Sequence, residues 1–269
     1  MFVDSHCHLS FPELHGRLPQ ILADMREAKV AAALCICTTL EEFPTVQALA
    51  AGHPNLWASV GVHPDTEGLS EPTEDDLCRL AGQPKVIAIG ETGLDYYRLN
   101  GRSIADMEWQ RDRFRAHIRA ARRLKLPLII HTRSASDDTI RLLKEEGAGQ
   151  EGSGIGGVFH CFTETMDVAR AALDLGFHIS FSGIVSFRNA ADLREVARFV
   201  PLERSLIETD SPYLAPVPYR GKTNSPAYVP HVATVLAAEK GVSVEEIAQA
   251  TTHNFERLFQ VQVPALAAA

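Results

Sequence analysis

The first residues, Met1-Phe2-Val3-Asp4-Ser5-His6-Cys7-His8-Leu9, place two histidines two apart at the end of a short apolar run. Side chains two apart on a strand share a face, so His6 and His8 project together as a metal site requires. A lone His-x-His is weak evidence, because histidine also serves as an ordinary core or surface residue. Its weight comes from later ligand-type residues that each follow an apolar run: Glu91 in Ile89-Gly90-Glu91-Thr92-Gly93, His131 after Leu128-Ile129-Ile130, His160 after Val158-Phe159, and Asp210 after Leu206-Ile207-Glu208-Thr209. His63 follows another such run. Four histidines and two carboxylates are enough for two divalent cations, and such a pair needs a bridging anion. Glu91 is the natural bridge, since the lysine of that run, Lys85, lies at its far end and disfavours a carbamylated-lysine bridge. We assign His6, His8, Glu91 and Asp210 to one cation, and Glu91, His131 and His160 to the other. The chemistry expected is metal-assisted hydrolysis, with Asp210 orienting the water and accepting its proton. Asp4 and Glu208 are expected to support the ligands, or, for Glu208, to form a buried ion pair.

The elements that must position these residues alternate. Apolar runs at Phe2–Ser5, Val30–Thr38, Leu56–Val62, Val86–Gly90, Pro127–Ile130, Gly156–Phe159, Phe177–Phe181 and Ser205–Thr209 lack clean polar alternation, which suits parallel strands covered by helices. Thr39-x-x-Glu42, Thr73-x-x-Asp76 and Ser243-x-x-Glu246 have capping-box spacing, Asn189 can cap a helix, and Gly176 falls where a helix should stop. Eight βα units in roughly 250 residues predict an α/β (β/α)8 TIM barrel over residues 1–260, with 261–269 a frayed tail; a doubly wound sheet is the alternative. The Gly-rich stretch Gly147–Gly157 is expected to be a loop. Ligand residues at C-terminal strand ends lie where such barrels build active sites. Strict alternation points Ile87, Ile89 and Glu91 inward together, and likewise Leu206, Glu208 and Asp210.

The formal charge of −8 provides no global attraction to a polyanion, so bound metals and local arginines must supply the positive field. The run Arg111, Arg113, Arg115, Arg119, Arg122, Arg123 is expected to be a solvated helix face. Five cysteines, an odd number, suggest reduced thiols in a cytoplasmic protein, with Cys7 and Cys161 as packing residues. No signal peptide or membrane span is expected, and no obligate protein partner is evident. Gly221-Lys222-Thr223 is not a P-loop, which needs glycine where Pro216 stands.

The stretches Asp4–Leu9, Gly61-Val62-His63-Pro64, Gly90–Tyr97, His131-Thr132-Arg133, His160-Cys161-Phe162, Phe187-Arg188-Asn189-Ala190, Glu208–Leu214 and Arg220-Gly221-Lys222-x-Asn224-x-Pro226 together resemble the TatD-like metal-dependent hydrolases, within the amidohydrolase-type barrels. That resemblance implies a two-metal phosphodiesterase acting on DNA, in some members a 3′→5′ exonuclease, with single strands or ends as the substrate. It implies substrate contact by Arg220 and Asn224; His63 and Tyr96 are further candidate substrate contacts. Arg220 suits a phosphate by forked donation. The cations are expected to be Mg, Mn or Zn. A hydrolase of a C–N or ester bond, aminoacyl-tRNA deacylation included, is the alternative on the same scaffold. A non-catalytic binding module has no need of Asp210 beside an open metal site and ranks last.

Overall fold

In the computed structural model, which describes residues 1–149 and 155–266, eight parallel strands form one sheet in the order of the sequence. They are β1 (Phe2–Cys7), β2 (Val30–Cys35), β3 (Leu56–Val60), β4 (Val86–Asp95), β5 (Leu128–Arg133), β6 (Gly157–Phe159), β7 (His178–Phe181) and β8 (Ser205–Ile207). The helices are α1 (Pro12–His15), α2 (Leu18–Glu27), α3 (Phe43–Gly52), α4 (Glu74–Ala81), α5 (Glu108–Leu124), α6 (Ser136–Glu145), α7 (Met166–Asp174), α8 (Ala191–Phe199), α9 (Val229–Lys240) and α10 (Val244–Phe259). The barrel closes where β1 meets the chain leaving β8: Asp210 N–H donates to the His6 carbonyl at 2.9 Å and His8 N–H to the Ser211 carbonyl at 2.8 Å. Ser5 adds a hydroxyl bond to the Ile207 carbonyl.

Two apolar layers hold the barrel. Every residue of β2 is buried, as its Val-Ala-Ala-Ala-Leu-Cys composition requires for a strand covered on both faces. Inside the barrel, Val3, Leu34, Trp57, Ile87, Ile129, Val158 and Leu206 pack together, and Phe255, Phe259 and Val263 close this cluster. Outside, the helices pack Leu49, Phe114, Ile118 and Leu142 against the opposite strand faces. The plug sits at the N-terminal end: Thr252 donates to the Met1 carbonyl, and Asn254 to the carbonyls of Leu202 and Ser205. The opposite end is left for chemistry.

Local signals set the helix starts. Thr73 with Asp76 and Ser243 with Glu246 form reciprocal capping boxes on α4 and α10. Gly176 follows α7 with φ +82°, a turn glycine suits. Two expected caps differ. Thr39 Oγ1 accepts the Glu42 N–H at 3.0 Å, but the Glu42 carboxylate takes the Thr38 N–H and hydroxyl and the Ser10 hydroxyl, so only half of that box forms. Ala190, without a side-chain bond, caps α8 in place of Asn189.

The arginine-rich helix also departs from expectation. Arg111 and Arg113 are buried; Arg113 donates to the carbonyls of His63 and Pro64 and pairs with Glu71. In the terminal segment Val263 is buried and Val261 and Leu266 pack on the inner cluster, so 261–266 are held rather than frayed. Residues 267–269 and 150–154, the latter inside the expected glycine-rich loop, lie outside the described residues.

Candidate metal centre and substrate cleft

The C-terminal end of the barrel opens into a cavity of about 590 Å³ lined by His8, His63, Glu91, His131, His160 and Asp210, among others. Glu91 sits at its centre, with 3% of its side chain exposed. Glu91 Oε1 lies 2.8 Å from His160 Nε2 and 3.3 Å from both His63 Nε2 and His131 Nδ1. Its Oε2 lies 3.3 Å from His6 Nε2. Asp210 Oδ1 faces His8 Nε2 at 3.2 Å and His6 Nε2 at 3.6 Å. The rings of His6 and His160 stack at 3.8 Å. Imidazoles from the ends of four strands, β1, β3, β5 and β6, therefore meet at the carboxylate carried by β4.

Irregular backbone, not strict alternation, brings them there. Ile87 packs inside the barrel, but Ile89 packs with the helix-facing layer. The register of β4 against β5 shifts between Ile89 and Thr92, and Glu91 turns inward through that shift. Gly90 has φ +148°, and a Cβ there would lie 2.7 Å from the Ile129 carbonyl oxygen, so the shift needs glycine. Similarly β8 ends at Ile207, and Asp210 reaches the mouth from a left-handed conformation, φ +55°. Asp tolerates that region better than most residues.

Among the described residues, three groups of ligand atoms are close enough to hold a cation: His6, His8 and Glu91; His63, Glu91 and His131; and His6, His160 and Glu208. Glu91 belongs to two of them. Oε2 of Glu208 is buried without a hydrogen-bond partner, and Nε2 of His6 and of His160 have only carboxylate oxygens beside them, of Glu91 for both and of Asp210 for His6. Buried polar atoms left short of partners are costly, and cations would satisfy them. The donor set of imidazoles and carboxylates thus fits divalent metal.

The electrostatics agree. Burial alone would raise the Glu91 carboxyl, but His160, His63 and His6 hold it well below the usual range. Burial also raises Asp210, and His8, His6 and His160 overcome that to keep it low. At His63 burial opposes the imidazolium, yet Glu91 and Asp65 lift it to about 10. Carboxylates held ionised at the mouth are the kind of group that a cation binds.

Several side chains sit elsewhere than expected. His63 lines the cavity as expected, and it also faces Glu91 in a candidate ligand group. Tyr96 is buried, its hydroxyl donating to Asp138 at 2.7 Å and accepting from Arg111, so it does not line the cavity. Asn224 is fully buried and donates to the carbonyls of Thr209 and Tyr213; it holds the loop after β8. Arg220 is exposed outside the cavity lining, its guanidinium 3.5 Å from the Phe187 ring centre. Cys161 lines the cavity because β6 ends at Phe159 and alternation does not extend past it. Asp4 takes the Thr209 N–H and hydroxyl and pins the barrel seam rather than a histidine ring. Glu208 accepts from Cys161 N–H and faces His160 Nδ1 at 3.3 Å.

Sequence reasoning missed Asp95, whose Oδ2 lies 3.2 Å from His131 Nε2. The signal was available: β4 continues four residues past Glu91, so Asp95 reaches the same mouth. Arg133, stacked 3.6 Å over Tyr97, and the aromatic pair Phe11 and Tyr213 were also missed as cavity groups.

With this geometry in view, similarity to known proteins decides the family. The family profile described as TatD related DNase matches residues 3–260. The chain belongs to the TatD related DNase family. It is 47% identical, over 98% of its length and 97% of the relative's, to the uncharacterized metal-dependent hydrolase YcfH of Escherichia coli K12. It is 34% identical, over 90% of its length and 92% of the relative's, to the 3′-5′ ssDNA/RNA exonuclease TatD of Salmonella typhimurium. Among solved structures, YjjV, a TatD homologue from Escherichia coli K12, superposes with a TM-score of 0.88 at 30% identity, covering 97% of this chain and 98% of that one. The protein is a TatD family metal-dependent hydrolase on a TIM barrel of amidohydrolase-like type. Among the described residues no helix is long and apolar enough to cross a membrane.

Proposed function

We propose that this hydrolase cleaves phosphodiester bonds of DNA at strand ends, in the 3′→5′ direction, with two divalent cations. The observation that carries the reading is Glu91 between histidines: one carboxylate within 3.3 Å of four imidazoles. His6, His8, Glu91 and Asp210 would hold one cation, and Glu91, His131 and His160 the other, with His63 close enough to join the second group. When bound, the cations supply positive charge for the scissile phosphate and lower the pKa of the attacking water.

The side chains do the rest. Asp210, kept ionised by its histidine neighbours, accepts the water's proton. Glu208 supports His160, and Asp95 supports His131. Arg133 offers a guanidinium to phosphate inside the cavity, and Arg220 offers a second further out along the strand. These local cations answer the net charge of −8. The nuclease-named relative at 34% identity favours phosphodiesters over amides. Five free thiols accord with a reducing, cytoplasmic setting.

The test is metal-reconstituted protein offered single-stranded DNA, duplex DNA, RNA, small phosphodiesters, and amide and ester substrates. Turnover of single-stranded DNA with release of mononucleotides supports the reading. Turnover of amides or esters alone overturns it.

A further inference from the structure

His8 and Asp210 face one another at 3.2 Å, and each starts the same local device. Phe11 N–H donates to the His8 carbonyl at 3.1 Å, and Tyr213 N–H donates to the Asp210 carbonyl at 3.0 Å. Each turn thereby carries an aromatic ring three residues beyond a candidate ligand. Phe11 stacks on the His8 ring at 4.6 Å and 21°, and Tyr213 meets Phe11 edge-on at 6.3 Å. The three rings form a continuous path from the metal centre to the rim of the cavity. Its outer member, Tyr213, is 51% exposed. Its backbone is held firmly, since buried Asn224 donates to its carbonyl at 2.6 Å. A large aromatic side chain on a fixed loop, left exposed beside a reactive centre, marks a binding surface.

We propose that Tyr213 and Phe11 form a stacking subsite for the base of the strand's terminal nucleotide. The inference rests on the nuclease reading and adds what the metal centre cannot provide, namely recognition of the base. The occupant follows from the chemistry. The same cavity is lined by Arg133, which suits a phosphate, and by the Phe11 and Tyr213 rings, which offer aromatic surface. A nucleotide presents those two features together. The volume, about 590 Å³, suits a small ligand such as one terminal nucleotide. Because every base has a π face, the subsite is expected to tolerate sequence.

The experiment measures kcat and KM of the metal-loaded protein on two single-stranded oligonucleotides, one ordinary and one whose terminal nucleotide is abasic. Wild type, Tyr213→Phe and Tyr213→Ala are compared. With the ordinary strand, Tyr213→Ala is expected to raise KM about tenfold, and Tyr213→Phe, which keeps the ring, to stay near wild type. With the abasic strand, wild type and Tyr213→Ala are expected to share one KM. An unchanged KM for Tyr213→Ala on the ordinary strand overturns the subsite, as does an equal rise on both strands. Failure of wild type to cut any oligonucleotide overturns the nuclease reading, and the subsite with it.

Discussion

The backbone N–H of Asp210 donates to the His6 carbonyl across 2.9 Å, joining the exit of the last strand to the first. The bond that closes the barrel therefore also sets the distance between two candidate ligands. Asp4 reinforces it by binding Thr209, one residue before Asp210. The seam of the fold and the floor of the cleft are the same few residues, so the reactive geometry exists only when the barrel is shut.

Glu91→Gln keeps the shape of the side chain but removes the charge that four imidazoles surround. Bound metal is expected to fall well below two equivalents per chain, and hydrolysis by on the order of 10³-fold. Elemental analysis after dialysis, with activity and circular dichroism on the same sample, checks this. A fully loaded, active Glu91→Gln enzyme would deny the bridge.

Asp210→Asn removes the proton acceptor and, with it, the charge that Asp210 brings to the His6 and His8 group, so turnover is compared at matched metal content. The amide still faces His8 but accepts no proton. A loss of roughly 10²- to 10⁴-fold in kcat is expected in protein saturated with metal. Unchanged kcat at matched metal content would remove Asp210 from the proton-accepting role.

Asp95→Asn tests support of a ligand. Asp95 accepts from His131 Nε2 and so fixes Nδ1 on the Glu91 side, 3.3 Å from Oε1. Metal affinity is expected to drop about 10- to 100-fold, read by titration of the metal-free protein. Equal affinity in the variant would make the contact incidental.

Much of this was legible in the chain. The eight apolar runs fall on the eight strands because parallel strands buried on both faces must be continuously apolar. The chain positions of the ligands were clear because each follows such a run. What alternation missed lies where strands end or shift register. Glu91 turns inward through a local irregularity, and Cys161 and Asp210 lie beyond their strands. Burial decided the remaining differences. Arg111 and Arg113 find buried partners from other segments, and Asn224 spends its amide on loop carbonyls. Pairings across 15 to 50 positions of sequence leave no local periodic signal.

Stability should depend on pH through His117, away from the cleft. This buried ring accepts from Val62 N–H through Nε2 and donates to the Arg113 carbonyl through Nδ1. Burial lowers it from the ordinary 6.5 to about 4. Between those values the unfolded chain binds a proton that the folded chain refuses. Stability is therefore full above about pH 6.5 and falls as the pH drops, by roughly 3 kcal/mol at pH 4. Denaturant unfolding from pH 7 to 4 of wild type and His117→Gln should show a shallower slope in the variant. Parallel slopes would exclude His117 as the cause.

The most direct measurement of the paired-cation centre is anomalous diffraction from crystals saturated with Mn²⁺. Two peaks are expected, one on each side of the Glu91 carboxylate: one near His6, His8 and Asp210, the other near His63, His131 and His160. A single peak remote from Glu91, or a saturated crystal with no peak in the cleft, would contradict the two-cation centre and the hydrolytic mechanism built on it.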